Sequence, residues 1–257
     1  MIALPSELLA QLGDEIWHVF AVFLRVSAFV SLLPAFGEQI IPTRVKLAIS
    51  AAFTLIVTPA APAPVLVANP VALAGLVGSE VVVGLALGMG LRLFVLALQT
   101  AGSIAAQATS LSQILGGVSV DPAPAMGYLL MLAGLALAVL MGLHIRVAQF
   151  LIHSYMMFPM GTVPAAPDLS HWGVQQIARS FGLAFALATP FVIASLIYNL
   201  ALGVINRAMP QLMVAFVGAP AITFAGLFLL FAGTPLILSV WVDALFAHLQ
   251  NPLGGTR

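Results

Sequence analysis

Few residues in this sequence have the types and spacing that could do chemistry. The histidines are His18, His144, His153, His171 and His248. His144 and His153 stand nine positions apart, which places them on opposite faces of a helix rather than on one metal-binding face. There is no H-E-x-x-H, no G-x-S-x-G nucleophile elbow and no acidic pair placed for acid–base work. Ser79 after Gly78 and Ser103 after Gly102 are common dipeptides without a partner base. The reading is therefore of a protein that is not an enzyme, with no catalytic residue, no metal and no cofactor. What remains is charge in unusual company: Arg25, Glu80 and Arg92 each lie inside a strongly apolar run. Ionisable residues in such runs are functional suspects, because an unpaired charge in hydrocarbon is costly. Glu80 and Arg92 are twelve positions apart, about 18 Å along a continuous helix, so they cannot pair on one straight helix. A proton relay carries a denser chain of acids and histidines, so a structural role is the favoured reading for all three.

The elements that must position these charges follow from composition. Of 257 residues, 62% are hydrophobic and only 6% charged, against about 25% charged in a soluble domain. Mean hydropathy is +1.15. Such a chain cannot cover itself with a water-compatible surface, and membrane lipid is its expected surrounding. Eight basic and eight acidic side chains give zero net charge, which points away from nucleic acid. No cysteine is present, so disulfides and thiolate sites are excluded. The opening MIALPSELLAQLGDE has no basic residue before its first apolar run and does not read as a cleavable signal peptide.

A spanning helix needs about 20 mostly apolar residues, and about six stretches qualify: 16–33, 45–58, 71–99, 126–145, 177–205 and 212–247. The second is short; the third, fifth and sixth are too long for simple crossings. Prolines 34, 42, 59, 62, 64, 70, 190, 210, 220 and 235 are expected to interrupt them. Broken backbone must find its hydrogen bonds within protein, which favours packing among other helices. The predicted fold is all-α, a single membrane-associated bundle of bent, proline-broken helical hairpins over residues 1–257. Arg44 and Lys46 in the hinge GEQIIPTRVK (37–46) place that hinge inside and the acidic N-terminus outside.

Small residues carry further signals. Gly84-x-x-x-Gly88 admits close approach of a neighbouring backbone. The segment 101–127, AGSIAAQATSLSQILGGVSVDPAPAMG, is rich in Ser, Thr, Gln, Gly and Ala, with Asp121 its only charge. Leu111, Ile114, Leu115 and Val118 recur in it at helix-like spacing. A polar, uncharged segment with apolar teeth suits a narrow aqueous passage. Near the C-terminal end NRAMPQLMVAFVGAP (206–220) sets Arg207, Pro210 and Pro220 between long apolar runs.

Residues 25–57 and 199–227 together resemble the FliR family, export-gate components of flagellar type III secretion. The resembling positions are Arg25, Pro34, Phe36, Pro42 and Arg44, then Leu202-Gly203, Asn206-Arg207, Pro210-Gln211 and Gly218-x-Pro220. Between them stand Gln107, Asp121-Pro122 and FPMG at 158–161. The resemblance implies a helical assembly with FliP-like and FliQ-like subunits, the N-terminal part mimicking the former and the C-terminal part the latter. It implies an FlhB-like switch protein and unfolded export substrates as further partners, in the bacterial inner membrane at the flagellar basal body. It also implies a pore plug formed by Gln107, Leu111, Ile114, Leu115, Gly116, Gly117 and Asp121. Arg25, Pro34, Pro42, Arg44, Glu80, Arg92, Arg207, Pro210, Gln211 and Pro220 are expected to serve assembly and hairpin turns. The virulence-type injectisome paralogue is the neighbouring reading; a lysine tends to follow its counterpart of VGAP, and 221–230 here has none. A small-solute secondary transporter with Glu80 and Arg92 as ligands is the other alternative, but no internal repeat supports it.

Overall fold

The computed structural model describes residues 6–38, 41–62, 69–109, 125–209 and 214–252. Side chains are described within these, except at 6–12 and 214–219. The described chain is helical, with no strand: α1 (Ser6–Leu32), α2 (Thr43–Val57), a short 3-10 turn (Thr58–Ala60), α3 (Pro70–Thr109), α4 (Ala125–Leu140), α5 (Leu143–Met157), α6 (Ala166–Ala208) and α7 (Val214–Gln250). Five helices are long and apolar enough to cross a membrane, and six if the bent pair α4–α5 counts as one span. At 40, 43 and 37 residues, α3, α6 and α7 exceed the length of a simple crossing.

The bending expected from the sequence is present: within the stretch 126–145, α4 and α5 meet at a 75° bend. The bend follows from Gly142, whose φ of 86° lies in the left-handed region that glycine enters without steric cost. One expectation is corrected: the helices run on through Pro190, Pro220 and Pro235, which were expected to interrupt them. Each proline removes one backbone bond, and the helix continues because in apolar surroundings it is the conformation that satisfies the remaining backbone groups. Thr189 and Thr234, each directly before a proline, donate their hydroxyls to the carbonyls of Phe185 (2.7 Å) and Leu230 (2.5 Å). Residues 101–109, the start of the polar segment 101–127, complete α3. Its alanines are strong helix formers.

The chain divides into two compact units, one made of residues 1–93, 139–176 and 246–257, the other of 94–138 and 177–245. In the first, α1 presents a stripe of fully buried residues, Val22, Val26, Phe29 and Val30, at helical spacing, continued by Leu33 just past its end. It lies along α3 at Gly84 and Gly88. A Cβ at Gly84 would collide with the Arg25 carbonyl oxygen, and one at Gly88 would sit 2.9 Å from that of Phe29. The small-xxx-small pattern thus does what it does between membrane helices, bringing two backbones close enough for van der Waals contact to hold them. Register advances in the same sense on both helices, so α1 and α3 run parallel, and α2 packs against α1. Pro34 is buried in the turn after α1, where Ala35 has φ 67° and Gly37 N–H donates to the Leu33 carbonyl at 2.6 Å. Lys46 Nζ closes this hinge onto the Gly37 carbonyl at 2.8 Å, and Pro42 caps α2.

In the second unit the end of α3 packs against α4 and α7. Gly102 meets the Gly127 backbone with no room for a side chain, and Gly226 leaves space for Thr109. Trp241 is fully buried and its indole N–H donates to the Phe94 carbonyl at 2.8 Å. Replacing Gly102 by Val should therefore overpack the α3–α4 contact and cost about 1–3 kcal/mol. Gly75→Ala, where a Cβ meets nothing within 4 Å, should be neutral or stabilising. Thermal melts of the two variants in detergent check the contrast. Equal losses would refute the close approach at Gly102.

Candidate functional site: a buried ion-pair clasp

Arg25 lies in the middle of the buried stripe of α1, and Glu80 occupies the matching position on α3, one turn before Gly84. Both side chains are entirely excluded from solvent. Arg25 Nε donates to Glu80 Oε2 at 2.8 Å and Nη2 donates to Oε1 at 3.0 Å, the two-pronged geometry that suits guanidinium and carboxylate. The remaining donors reach α5 and the turn that follows it. Nη1 donates to Ser154 Oγ at 3.2 Å and Nη2 to the Phe158 carbonyl at 2.9 Å. Glu80 Oε1 accepts a further bond from the backbone N–H of Gly161 at 3.0 Å. The guanidinium also stacks 3.8 Å from the centre of the Tyr155 ring.

This clasp ties three helices and one turn at a single point. The close α1–α3 approach permitted by Gly84 brings the two side chains within reach. Gly161, with φ 77°, gives the FPMG turn the backbone reversal that aims its N–H at Glu80. Isolated charges in such surroundings would cost several kcal/mol each; here both are paired and further hydrogen-bonded. The arrangement holds these elements together at one point.

A second pair joins Arg92 Nη1 to Glu38 Oε1 at 3.4 Å, both side chains about a quarter exposed. It links α3 to the hinge after α1. Glu80 and Arg92, on the same helix, thus each find a partner elsewhere, as their spacing requires. The other expected assembly residues are not drawn into these contacts. Arg44 is exposed in the first turn of α2. Arg207 is exposed in the last turn of α6, where a cation meets the negative helix end favourably. Pro220 is exposed within α7. Gln107 is exposed near the end of α3. Leu111, Ile114, Leu115, Gly116, Gly117, Asp121, Pro210 and Gln211 lie outside the described residues. Sequence reasoning did not find Ser154 and Tyr155. The one available signal was Ser, Tyr and Gly on and just past a helix otherwise apolar on that face.

Comparison with known proteins decides the family. Residues 16–248 match the bacterial export proteins, family 1. The flagellar biosynthetic protein FliR of Caulobacter vibrioides is 35% identical over 239 residues, covering 89% of this chain and 93% of its own length. The chain belongs to the FliR family of bacterial export proteins. The FliR of Escherichia coli is 29% identical over 243 residues, covering 91% and 90% of the two chains. That of Bacillus subtilis is 26% identical over 239 residues, covering 90% and 88%. With its long apolar helices the chain is a membrane component of the flagellar export apparatus.

Removing either member of the clasp leaves the other charge buried and unpaired. Arg25→Ala and Glu80→Ala should each destabilise the protein by about 3–5 kcal/mol. The double change to Met at both positions should cost less than either alanine variant, because no lone charge remains. Thermal unfolding and recovery of purified protein for the three variants test this. A double variant as damaged as the two single losses added together would show that the pair does not act as a unit.

Proposed function

We propose that this chain is part of the flagellar type III export gate in the bacterial inner membrane, forming a section of the channel through which unfolded flagellar subunits cross. The observation that carries the reading is the extent of apolar surface that α6 and α7 leave uncovered. Phe181, Phe185, Leu196, Leu200, Phe224, Phe228 and Phe231 are all more than half exposed. From Phe181 to Ile205 and from Val214 to Val242 no charged residue interrupts either helix. Helices of 43 and 37 residues extend to about 64 and 55 Å at 1.5 Å per residue, well beyond a hydrocarbon core of about 30 Å. Apolar surface that lipid cannot reach must be covered by protein. FliP-like and FliQ-like subunits, with an FlhB-like switch protein nearby, supply that cover in this reading. The N-terminal part takes the FliP-like place and the C-terminal part the FliQ-like place. Arg44, Arg207, Pro210, Gln211 and Pro220 then serve subunit-packed turns, while Arg25, Glu80 and Arg92 keep the chain's own helices in register.

An export gate must hold back ions when idle and still open for a polypeptide. The segment after α3 has the composition for a removable closure. Gly116 and Gly117 supply backbone freedom, Leu111, Ile114 and Leu115 can dewet a constriction, and Gln107 and Asp121 bracket them. Deleting residues 110–117 should leave the assembly intact but leaky, raising small-ion conductance and slowing growth. Conductance of cells carrying the deletion, with recovery of the assembled complex measured in parallel, tests this. A complex that assembles normally and stays as tight as the intact one would reduce the segment to a connector. The assembly reading has its own test, native mass spectrometry of the protein purified with co-expressed neighbours. A hetero-oligomer is expected, and a stable lone monomer would contradict it.

A further inference from the structure

A small cavity of about 90 Å3 lies within the first compact unit, walled by α3, the turn after α5 and the start of α6. Its floor is buried and apolar, formed by Val83 and Leu87 of α3. Phe158 and Trp172 close two sides. Both walls are fixed rather than adaptable. The Phe158 carbonyl is held by Arg25, and the Trp172 indole N–H donates to the Pro252 carbonyl at 3.1 Å while its ring lies against Gly90. One lining residue is ionisable and exposed: Asp168, in the first turn of α6. Its carboxylate makes no ion pair or hydrogen bond with any described residue. Asp168 therefore marks the mouth of an apolar slot. Beside it on α6 stand the polar Ser170, His171 and Gln175 and the exposed apolar Val174.

A preformed apolar recess with a single polar group fixing orientation is the usual form of a small-molecule site. The cavity is smaller than the roughly 150 Å3 that holds a benzene ring, so it admits a short stretch of alkyl chain and not a ring system. The free carboxylate at the mouth selects a cation at the polar end of that chain. The helix α6, which begins at the mouth, is long and apolar enough to enter the bilayer that would supply such a molecule. We propose that this slot binds a phospholipid with a primary ammonium headgroup, phosphatidylethanolamine being the bacterial-type representative. Its ammonium meets Asp168 and a stretch of one acyl chain lies over Val83 and Leu87. A primary ammonium can donate hydrogen bonds to the carboxylate; a quaternary choline cannot, and a phosphatidylglycerol headgroup brings no cation.

The test uses the full chain in its purified assembly, reconstituted into nanodiscs of equal parts phosphatidylethanolamine, phosphatidylcholine and phosphatidylglycerol. Lipid retained after brief detergent exchange is counted by native mass spectrometry. Phosphatidylethanolamine should be enriched over the other two. Asp168→Asn, an exposed near-isostere that leaves the fold alone, should lower that preference about fivefold, the factor expected from a partly exposed ion pair of about 1 kcal/mol. Ala86→Phe, which fills the slot from α3, should abolish retention of all three lipids at this site. Equal retention of the three lipids by the native chain would overturn the proposal. So would an undiminished ethanolamine preference in Asp168→Asn.

Discussion

The Arg25–Glu80 pair is the constraint on which the first compact unit depends. Two full charges sit where water does not reach, and the surrounding helices are arranged so that neither is alone. Gly84 and Gly88 bring α1 against α3, which sets the arginine and the glutamate opposite each other. Ser154, Tyr155 and the 158–161 turn then complete the arginine's shell. A slip of α1 by one residue would rotate Arg25 about 100° away from Glu80, a shift that apolar packing alone would resist weakly. Polar pairing at one point thus fixes a register that Val, Leu and Phe would leave loosely specified.

The contrast with α6 and α7 has a functional meaning. There the long central stretches carry no charge, and the exposed side chains are large and apolar. Register against any neighbour must come from shape, small residues and helix geometry. Pro190 and Pro235 lie within these helices without ending them, and the Thr before each donates its hydroxyl to a carbonyl one turn back. A chain that satisfies its own buried charges and leaves charge-free helices uncovered is suited to membership of a larger membrane assembly. That is the character expected of a component of the flagellar export apparatus.

Much of this was legible from residue types. The apolar stretches marked the helices, and Gly84-x-x-x-Gly88 marked a close approach that the structure contains. Glu80 and Arg92 could be ruled out as partners by spacing. The pairing of Arg25 with Glu80 was not legible, because the two are 55 positions apart and a sequence does not say which charge faces which element. Ser154 and the Phe158 carbonyl lie further still, 129 and 133 positions from Arg25, and a backbone carbonyl leaves no trace in a sequence. The prolines of α6 and α7 were read by the rule for water-exposed helices, where a freed carbonyl ends the element. In apolar surroundings the helix is the only conformation that satisfies the remaining groups, so it continues. The bend at Gly142 hid inside an apolar run because a glycine in the left-handed region looks, in sequence, like any other small residue.

The central claim is that the uncovered faces of α6 and α7 are subunit interfaces rather than permanent lipid contacts. The chain has no cysteine, so single cysteines at Leu196 and Phe228 can each carry a spin label without further engineering. Oxygen accessibility at the two labels, compared between the chain alone in bilayers and the chain in its assembled complex, measures the claim directly. Both sites should be highly accessible in the lone chain and lose most of that accessibility on assembly. Accessibility that stays high at both positions in the complete complex would show that lipid covers these faces, and would contradict the account.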